Sequence, residues 1–564
     1  MRSADWFVLI ATLTSIVAYG VWKGRRQKNL EGYLLAGRQM HWGTIALSIM
    51  ATQASAITFL STPGQAYADG MRFVQFYIGL PIAMVILSIT AVPVYHRLKV
   101  YTAYEYLETR FGVGTRTLTS LLFLAHRGLS TGITVYAPAL IVSVILGWNI
   151  TLTTIVIGTG VIIYTAMGGT RAVSWTHVHQ LLIALAGMAV ALVVAVHALP
   201  EGMHFGDAVR VAGRMGRLNA IDFSFDVTTP YNFWSGLFGG LLVALSYFGI
   251  DQSQVQRYLT GSSIAESRLG LLFNGMVKVP MQFFILFVGA MVFVFYQFVA
   301  PPLFFNPVET ERILRSPLAA DYARLERQHR QVFAAKRAVA LQVAHDPAVA
   351  PRLRALQNED AKLREAATSL MRRNDPLADV NDTNYVFLAF VMRNLPAGLV
   401  GLVLAAIFCA AMSATAAGLN ALASTSTIDI YRRLLVRDAT DHHYVRASKW
   451  LTVFWGVFSI GFAIFAGRLG SLIEAVNKVG SFFYGTILAI FLLAFYTKTI
   501  SGTAALIGGL AGEAAVALCA IFSNMAWLWW NVVGCAVGVV AALAVQLVLP
   551  RQVVKDSPIE LPST

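Results

Sequence analysis

Apolar runs long enough to cross a bilayer recur along this chain from one end to the other. A helix crosses the hydrocarbon core with ~20 apolar residues, and a chain of 564 residues has room for many such helices. Only 13% of the residues are charged, whereas a soluble domain carries about 25%. The pattern predicts an all-α membrane protein and excludes an ordinary soluble domain.

Hydropathy windows of about 19 residues predict thirteen membrane-spanning helices in the sequence. The predicted helices lie near residues 5–22, 43–68, 73–95, 117–147, 150–167, 172–198, 232–259, 268–299, 396–422, 450–467, 480–497, 502–522 and 526–549.

The orientation follows from the loops, because Lys and Arg collect in the loops after the first, third and ninth predicted helices. Cytoplasmic loops carry such an excess of positive charge. We therefore expect a multi-pass protein of the cell membrane with its amino terminus outside and its short tail, residues 550–564, in the cytoplasm. The formal net charge of +14 then reflects membrane topology, and we expect no nucleic-acid partner.

Residues 301–384 form a charged insertion between the helices of residues 1–300 and those of residues 385–549. By the orientation above it lies on the outer side. Its apolar residues recur every three or four positions on both sides of the sequence PAVAP at 347–351, which predicts a helical hairpin. A structural or partner-docking role is the favoured interpretation, with an unknown partner, and a gating lid is the alternative.

Polar residues interrupt the predicted helix 43–68 at Gln53, Ser55 and Thr58. Transporters use broken helices to expose backbone carbonyls to a cation and helix ends to a substrate. The alternative is that small and hydroxyl residues permit close helix packing. The sequence is therefore compatible with a local unwinding of this helix.

The predicted helix 232–259 ends with ionisable and amide groups, including Asp251 and Gln252. Such groups are costly in hydrocarbon and are functional candidates by default. Asp251 has two interpretations: it coordinates an ion, or it pairs with Lys278 of the next helix. We favour the pairing, because Lys278 also needs a partner there.

Small and hydroxyl residues, among them Ser413 and Thr415, fill the predicted helix 396–422. Their neutral oxygens suit a hard cation, although packing alone also selects small residues. Histidines near the predicted inner face, such as His177, are candidates for carrying protons or for simple interfacial positions. We find no catalytic constellation, no metal-ligand spacing among the three cysteines, and no reason to expect an enzyme.

Seven motifs together resemble the sodium/solute symporter family, which includes the sodium-coupled glucose, iodide, multivitamin and proline carriers. They are EGYLLAGR at 31–38, YTAYEYLETRFG at 101–112, VYAPAL at 135–140, YTAMGGTRAVSWTHVHQ at 164–180, FGIDQSQVQRYL at 248–259, LNALASTSTIDIY at 419–431 and EAVNKVGSFFYG at 474–485. The resemblance covers nearly the whole chain except residues 301–384. It implies two inverted five-helix repeats, the first at about 43–198 and the second beginning near 232, with additional terminal helices.

The resemblance also implies a sodium site between the first and eighth core helices, with sodium as coupling ion and no organic cofactor. The positions that match the family's ligands are Ala51, Ala54, Ala410, Ser413 and Ala414. The family usually has a second Ser or Thr where this chain has Ala414, so we expect Thr415, after a small rotation of the helix, or a water molecule to substitute for it.

For the substrate, the resemblance implies contacts from Gln53, Ser55, Thr58 and Lys278, and we add Asp251 and Gln252. The sequence DQSQVQR is similar to the anion and vitamin branch of the family. We therefore expect sodium-coupled symport of a small polar or anionic solute by alternating access.

Two alternatives stay open. Relatives commonly have Asp where this chain has His177, and a proton-coupled or weakly coupled carrier would use Asp251 and His177 for coupling. The less favoured alternative is a non-transporting solute sensor.

Overall fold

The computed structural model describes residues 1–24, 30–376 and 378–549. Side chains at 16, 17, 19–24, 30, 167–178 and 180 lie outside that description. Within the described residues, all regular secondary structure is helical, apart from one isolated β-bridge between Met40 and Gly261.

Helices before the insertion are numbered α1 to α13. They are α1 (Ser3–Gly24), α2 (Leu30–Leu35), α3 (Trp42–Gln53), α4 (Ala56–Asp69), α5 (Leu80–Ile89), α6 (Ala91–Leu98), α7 (Ala103–Phe111), α8 (Val113–Leu146), α9 (Ile150–His197), α10 (Phe205–Arg214), α11 (Gly240–Gly249), α12 (Gln252–Tyr258) and α13 (Ile264–Phe298).

Helices α14 to α16 belong to the insertion, and α17 to α22 follow it. They are α14 (Pro307–Leu314), α15 (Ala319–Val343), α16 (Ala350–Asn374), α17 (Thr383–Asn394), α18 (Leu399–Thr425), α19 (Asp441–Ala466), α20 (Leu472–Tyr496), α21 (Gly502–Phe522) and α22 (Trp527–Val548).

Eight helical segments of the described chain are long and apolar enough to cross a membrane, and three shorter apolar helices accompany them. Burial separates these segments into a centre and a periphery. In the most apolar part of the span that contains α18, 78% of the residues are buried, against 28% for the span of α19. The bundle therefore surrounds α18 and exposes α19 to lipid.

The predicted helix 43–68 is broken, as its polar residues had indicated. Helix α3 ends at Gln53, and Ser55 has extended backbone angles of φ −75° and ψ 176° before α4 begins. The intrahelical hydrogen-bond ladder stops there, which leaves helix ends inside the bundle.

A second break interrupts the predicted helix 232–259 between α11 and α12. Asp251 has extended angles there, and its carboxylate caps α12 by accepting a hydrogen bond of 2.9 Å from the backbone N–H of Ser253. An Asp at this position stabilises a new helix start, so the sequence itself favours the break.

Two predicted helices, 150–167 and 172–198, form one helical segment, α9, of 48 residues. Its apolar parts are Ile150–Ala166 and Leu181–His197. Ile150 lines a cavity with residues of α14, and Leu199, just beyond the other end, packs against the cluster that contains Val339 and Val343 of α15. Both ends of α9 therefore lie on the side of the protein that carries the insertion.

The insertion forms the predicted hairpin, with a short turn at Pro347–Val349 between α15 and α16. Asp360 of α16 holds the hairpin together: it bonds to His329 at 2.6 Å and accepts from Lys336 at 3.0 Å. The apolar face of the hairpin packs on α13 and α10, so the insertion is fixed to the membrane bundle.

Candidate functional site

A cavity lies next to both helix breaks. Its walls come from both halves of the chain, including α3, α4, α8, α11 and α20. Its polar lining consists of Thr52, Gln53, Ser55, Thr58, Tyr77, His126, Arg127, Ser130, Thr131, Thr134, Tyr247, Ser253, Asn477 and Tyr484.

Three predicted substrate contacts, Gln53, Ser55 and Thr58, line this cavity together. The break brings them there, because it turns the end of α3 and the start of α4 toward the same space. Thr58 donates a hydrogen bond of 3.4 Å to the backbone carbonyl of Gln53. The amide oxygen of Gln53 is buried and has no hydrogen-bond partner in the described chain, so it is available to a ligand.

Asp251 lies behind the cavity wall and is 1% exposed. Its carboxylate forms an ion pair with Arg127 of α8 and accepts a hydrogen bond of 2.9 Å from the hydroxyl of Tyr484. The expected pairing of Asp251 with Lys278 is therefore wrong. Arg127 takes Lys278's place because the break directs the carboxylate toward α8 rather than toward α13.

Arg127 is the positively charged side chain that sequence reasoning did not include among the substrate contacts. It lines the cavity, and its guanidinium lies 5.7 Å from the centre of the Tyr247 ring. Its Nε is buried and donates to no atom of the described residues. The sequence did carry a signal, since an Arg in an apolar span is a functional candidate in its own right.

Two other predicted substrate contacts point elsewhere. Gln252 bridges to the loop before α7: its amide accepts from the backbone N–H of Ala103 at 3.1 Å and donates to the carbonyl of Tyr101 at 2.8 Å. Lys278 is fully buried, and its ammonium lies 5.9 Å from the ring centre of Tyr77. Neither residue lines the cavity, which corrects their assignment as substrate contacts in this structure.

The predicted sodium ligands lie in the buried centre of the bundle. Ala51 is near the end of α3, Ala54 is at the break, and Ala410, Ser413 and Thr415 are on α18; all five are buried. Helix α18 packs against both α3 and α4. Ala414 lines the cavity, whereas the Thr415 hydroxyl turns to α8 and donates to the Thr134 hydroxyl at 3.3 Å.

The proposed coupling residue His177 falls within α9, but its side chain lies outside the described part of the protein. The side chain of another histidine, His126, is described. It lines the cavity, and its Nδ1 lies 4.0 Å from the Asp251 carboxylate.

The charge of the lining is one-sided. Among the described residues the cavity wall contains Arg127 and His126 but no Asp or Glu side chain. A carboxylate is present only behind the wall, as the partner of Arg127. The described part of the lining therefore carries one guanidinium, whose charge Asp251 balances from behind the wall.

Comparison with known proteins gives a consistent result. The family model described as "Sodium:solute symporter family" matches residues 33–313 and 375–512. The putative sodium-dependent multivitamin transporter of Drosophila melanogaster is 27% identical over 518 residues, which cover 90% of this chain and 72% of that protein. The human sodium/iodide cotransporter is 34% identical over 275 residues, covering 48% of this chain and 42% of that protein.

Two further similarities extend over most of the chain. The human sodium-coupled monocarboxylate transporter 1 is 27% identical over 515 residues, which cover 90% of this chain and 72% of that protein. The fold is similar to that of a Na⁺-coupled sialic acid symporter in its substrate-bound outward-open state. The TM-score is 0.75 at 22% identity, with 98% of this chain and 100% of that chain covered.

Proposed function

Because this chain belongs to the sodium:solute symporter family, we propose that it is a sodium-coupled symporter of a small solute that carries a carboxylate or a similar anionic group. The observation that carries the proposal is Arg127, a cavity-lining cation whose Nε has no partner in the described chain. An Arg guanidinium offers several fixed N–H donors that match a carboxylate. The family's members are transporters, so the activity is transport and not enzymatic catalysis.

The break between α3 and α4 offers partial charges to both the sodium ion and the solute. At the end of α3 the backbone carbonyls carry partial negative charge, and at the start of α4 the N–H groups carry partial positive charge. Ser55 caps α4 without a side-chain hydrogen bond and lines the cavity. A cation on the α3 side and an anionic group on the α4 side are therefore both favoured.

For sodium we propose backbone oxygens of Ala51 and Ala54 with oxygens of Ala410 and Ser413. Ala414 cannot offer a side-chain oxygen. Thr134 of α8 lines the cavity together with Ala414, and its hydroxyl is bonded to that of Thr415. We infer that this pair of threonines supplies the oxygen that Ala414 lacks.

The alternating-access mechanism fits two inverted repeats, at about 43–198 and from about 232, which we propose from the family resemblance. Each contains one of the broken helices. We further propose that the amino terminus and the insertion are outside, and that the tail 550–564 is cytoplasmic. Sodium binding then favours the outward-facing state and raises solute affinity by linkage.

Proton coupling through Asp251 is the less favoured mechanism. Its carboxylate already accepts hydrogen bonds from Tyr484 and Ser253 and pairs with Arg127. These interactions stabilise the ionised form and oppose proton uptake. Asp251 therefore supports Arg127 rather than carrying protons.

The relatives suggest the first solutes to test, since their names include monocarboxylate and iodide. The experiment is uptake by purified protein in liposomes, with propionate, lactate and iodide as solutes and propionamide as the neutral match for propionate. We expect uptake of an anion that requires external sodium and fails when choline replaces it. Equal uptake with choline would contradict sodium coupling.

The role of Arg127 is tested in the same assay with Arg127→Met. The matched control is Lys278→Met, which removes another cation buried in the bundle but not in the cavity wall. We expect Arg127→Met to abolish anion uptake and Lys278→Met to retain it. The opposite outcome would transfer the anion contact to Lys278.

A further inference from the structure

A groove opens at the charged end of α19, away from the central cavity. Its lining includes Tyr431 and, on one face of α19, His443, Arg446, Trp450 and Phe454. These α19 positions are three or four residues apart, so their side chains stack along the helix. The groove therefore runs from a polar end near His443 toward an aromatic end at Phe454.

Positive charge dominates the polar end. Residues 431–450 contain five Lys or Arg residues and two Asp residues. Arg433 pairs with Glu108 at 2.7 Å, but Arg446 is exposed and forms no ion pair with any described residue. The Tyr431 hydroxyl lies 2.9 Å from His443 Nε2 and fixes the adjoining wall. Arg446 is thus a cation without a counter-ion among the described residues at the groove.

The aromatic end continues into a lipid-facing stripe. Trp450, Phe454 and Val457 are 69%, 59% and 61% exposed, and they follow one another along the poorly buried helix α19. In a bilayer these side chains contact acyl chains, and a Trp is typical of the membrane–water interface. Trp450 therefore marks the level at which lipid headgroups meet the protein.

We propose that this groove binds one anionic phospholipid. The lipid phosphate lies against Arg446, and an acyl chain follows Trp450, Phe454 and Val457. Basic pockets at the ends of membrane helices bind anionic headgroups in this way. A free phosphate would use the polar end of the groove and leave the aromatic end without a ligand. The site is separate from the solute cavity and would hold α19 against its lipid surroundings.

The test is native mass spectrometry of the purified full chain in detergent, titrated with phosphatidylglycerol or phosphatidylcholine of the same acyl chains. We expect tighter binding of phosphatidylglycerol, weakened about fivefold by Arg446→Gln, since one Lys or Arg near the surface contributes that factor. Arg97→Gln is the control, because Arg97 is also exposed and lies outside the groove. Equal affinity for the two lipids, or equal weakening by Arg97→Gln, would overturn the proposal.

Two further arms separate a lipid from a free anion. Phe454→Ala removes only the aromatic end, and we expect it to weaken phosphatidylglycerol binding while the chain stays monodisperse. Inorganic phosphate in excess should not displace the lipid. Full displacement by phosphate, together with unchanged lipid affinity in Phe454→Ala, would show an anion site without acyl-chain recognition and would contradict the proposal.

Discussion

The two helix breaks beside the cavity differ in whether their polar side chains have partners within the described chain. Between α11 and α12 the chain uses its own charges, because Asp251 caps the new helix and pairs with Arg127. Between α3 and α4 the Gln53 amide oxygen has no partner in the described chain, and Ser55 makes no cap hydrogen bond. Since buried polar groups in proteins are normally paired, we expect the break between α11 and α12 to be a support and the break between α3 and α4 to bind a ligand.

The largest effect on stability and uptake should follow from substitution of Asp251, which supports Arg127. Asp251→Asn leaves Arg127 as a buried cation without its counter-charge, and breaking such a pair costs about 3–5 kcal/mol. We expect a large fall in the melting temperature of the purified protein and loss of uptake. The double variant Asp251→Asn, Arg127→Gln should recover much of the stability without uptake. A single variant as stable as the wild type would contradict the supporting role.

The same contrast exists in the insertion region, between two buried carboxylates. Burial would raise the pKa of Asp360, but the hydrogen bond with His329 and the charge of Lys336 lower it to about 2. Burial raises the pKa of Asp379 to about 7, although Tyr385 donates to its carboxylate at 2.9 Å, and the charge of Glu309 adds to the increase. Asp360 is compensated by the charge of Lys336 and by the hydrogen bond with His329, whereas Asp379 has no such cation among the causes of its pKa shift.

These pKa shifts predict opposite pH dependences. The folded protein holds a proton on Asp379 that the unfolded chain releases, so this contribution to stability is complete below about pH 4 and is lost as the pH rises toward 7. Asp379→Asn should remove this decline, which is on the order of 2 to 4 kcal/mol. Asp360 contributes above its unfolded pKa of 3.8 and loses the contribution as the pH falls toward 2.

Melting temperatures of the purified variants between pH 5 and 8 separate the two carboxylates. Within that range Asp360→Asn should lower the melting temperature by a nearly constant amount. For Asp379→Asn the difference from the wild type should grow in favour of the variant as the pH rises. If the melting temperatures of the wild type and of Asp379→Asn changed in parallel with pH, the raised pKa of Asp379 would be contradicted.

At the break between α3 and α4 we expect a smaller effect, on the sodium dependence of uptake. Removal of one hydroxyl ligand by Ser413→Ala should raise the sodium concentration for half-maximal uptake about tenfold, the size of one polar contact to a charge. Ala414→Ser adds an oxygen at the cavity wall and should lower that concentration. The measurement is uptake against sodium at fixed solute, with melting temperature as the folding control. Unchanged sodium dependence in both variants would exclude α18 from the site.

The smallest effects distinguish two glutamines, one at each break. Gln53→Met should raise the KM for the solute about fivefold, the size of one hydrogen bond, and leave stability nearly unchanged. Gln252→Met should leave KM unchanged and lower stability by about 1–2 kcal/mol, because Gln252 bonds to the backbone of Tyr101 and Ala103. The reverse result would mean that the break between α11 and α12 binds the solute and that the break between α3 and α4 is structural.

Local patterns in the sequence predicted much of the fold. The polar residues near Ser55 indicated the first break, and the apolar spacing around PAVAP indicated the hairpin of the insertion. Both depend on residues close together in the chain. The two predicted helices within 150–198 correspond to the two apolar parts of α9, Ile150–Ala166 and Leu181–His197.

Partners distant in the sequence were not predictable in this way. Asp251 and Lys278 are 27 positions apart on two consecutive predicted helices, whereas Arg127 is 124 positions from Asp251. Only the packing of α8 against the second break brings Arg127 to the carboxylate. Gln252 is similar, since its contacts come from the loop before α7. Residue type identified the functional candidates, and tertiary packing assigned their roles.

The central claim is that one cavity binds an anionic solute together with sodium. The most direct test is equilibrium binding of the transported anion to purified protein, measured without sodium and at saturating sodium. We predict that sodium lowers the solute Kd and that the solute lowers the sodium Kd by the same factor. We also predict that Arg127→Met abolishes anion binding. A solute Kd that is the same with and without sodium would contradict the account.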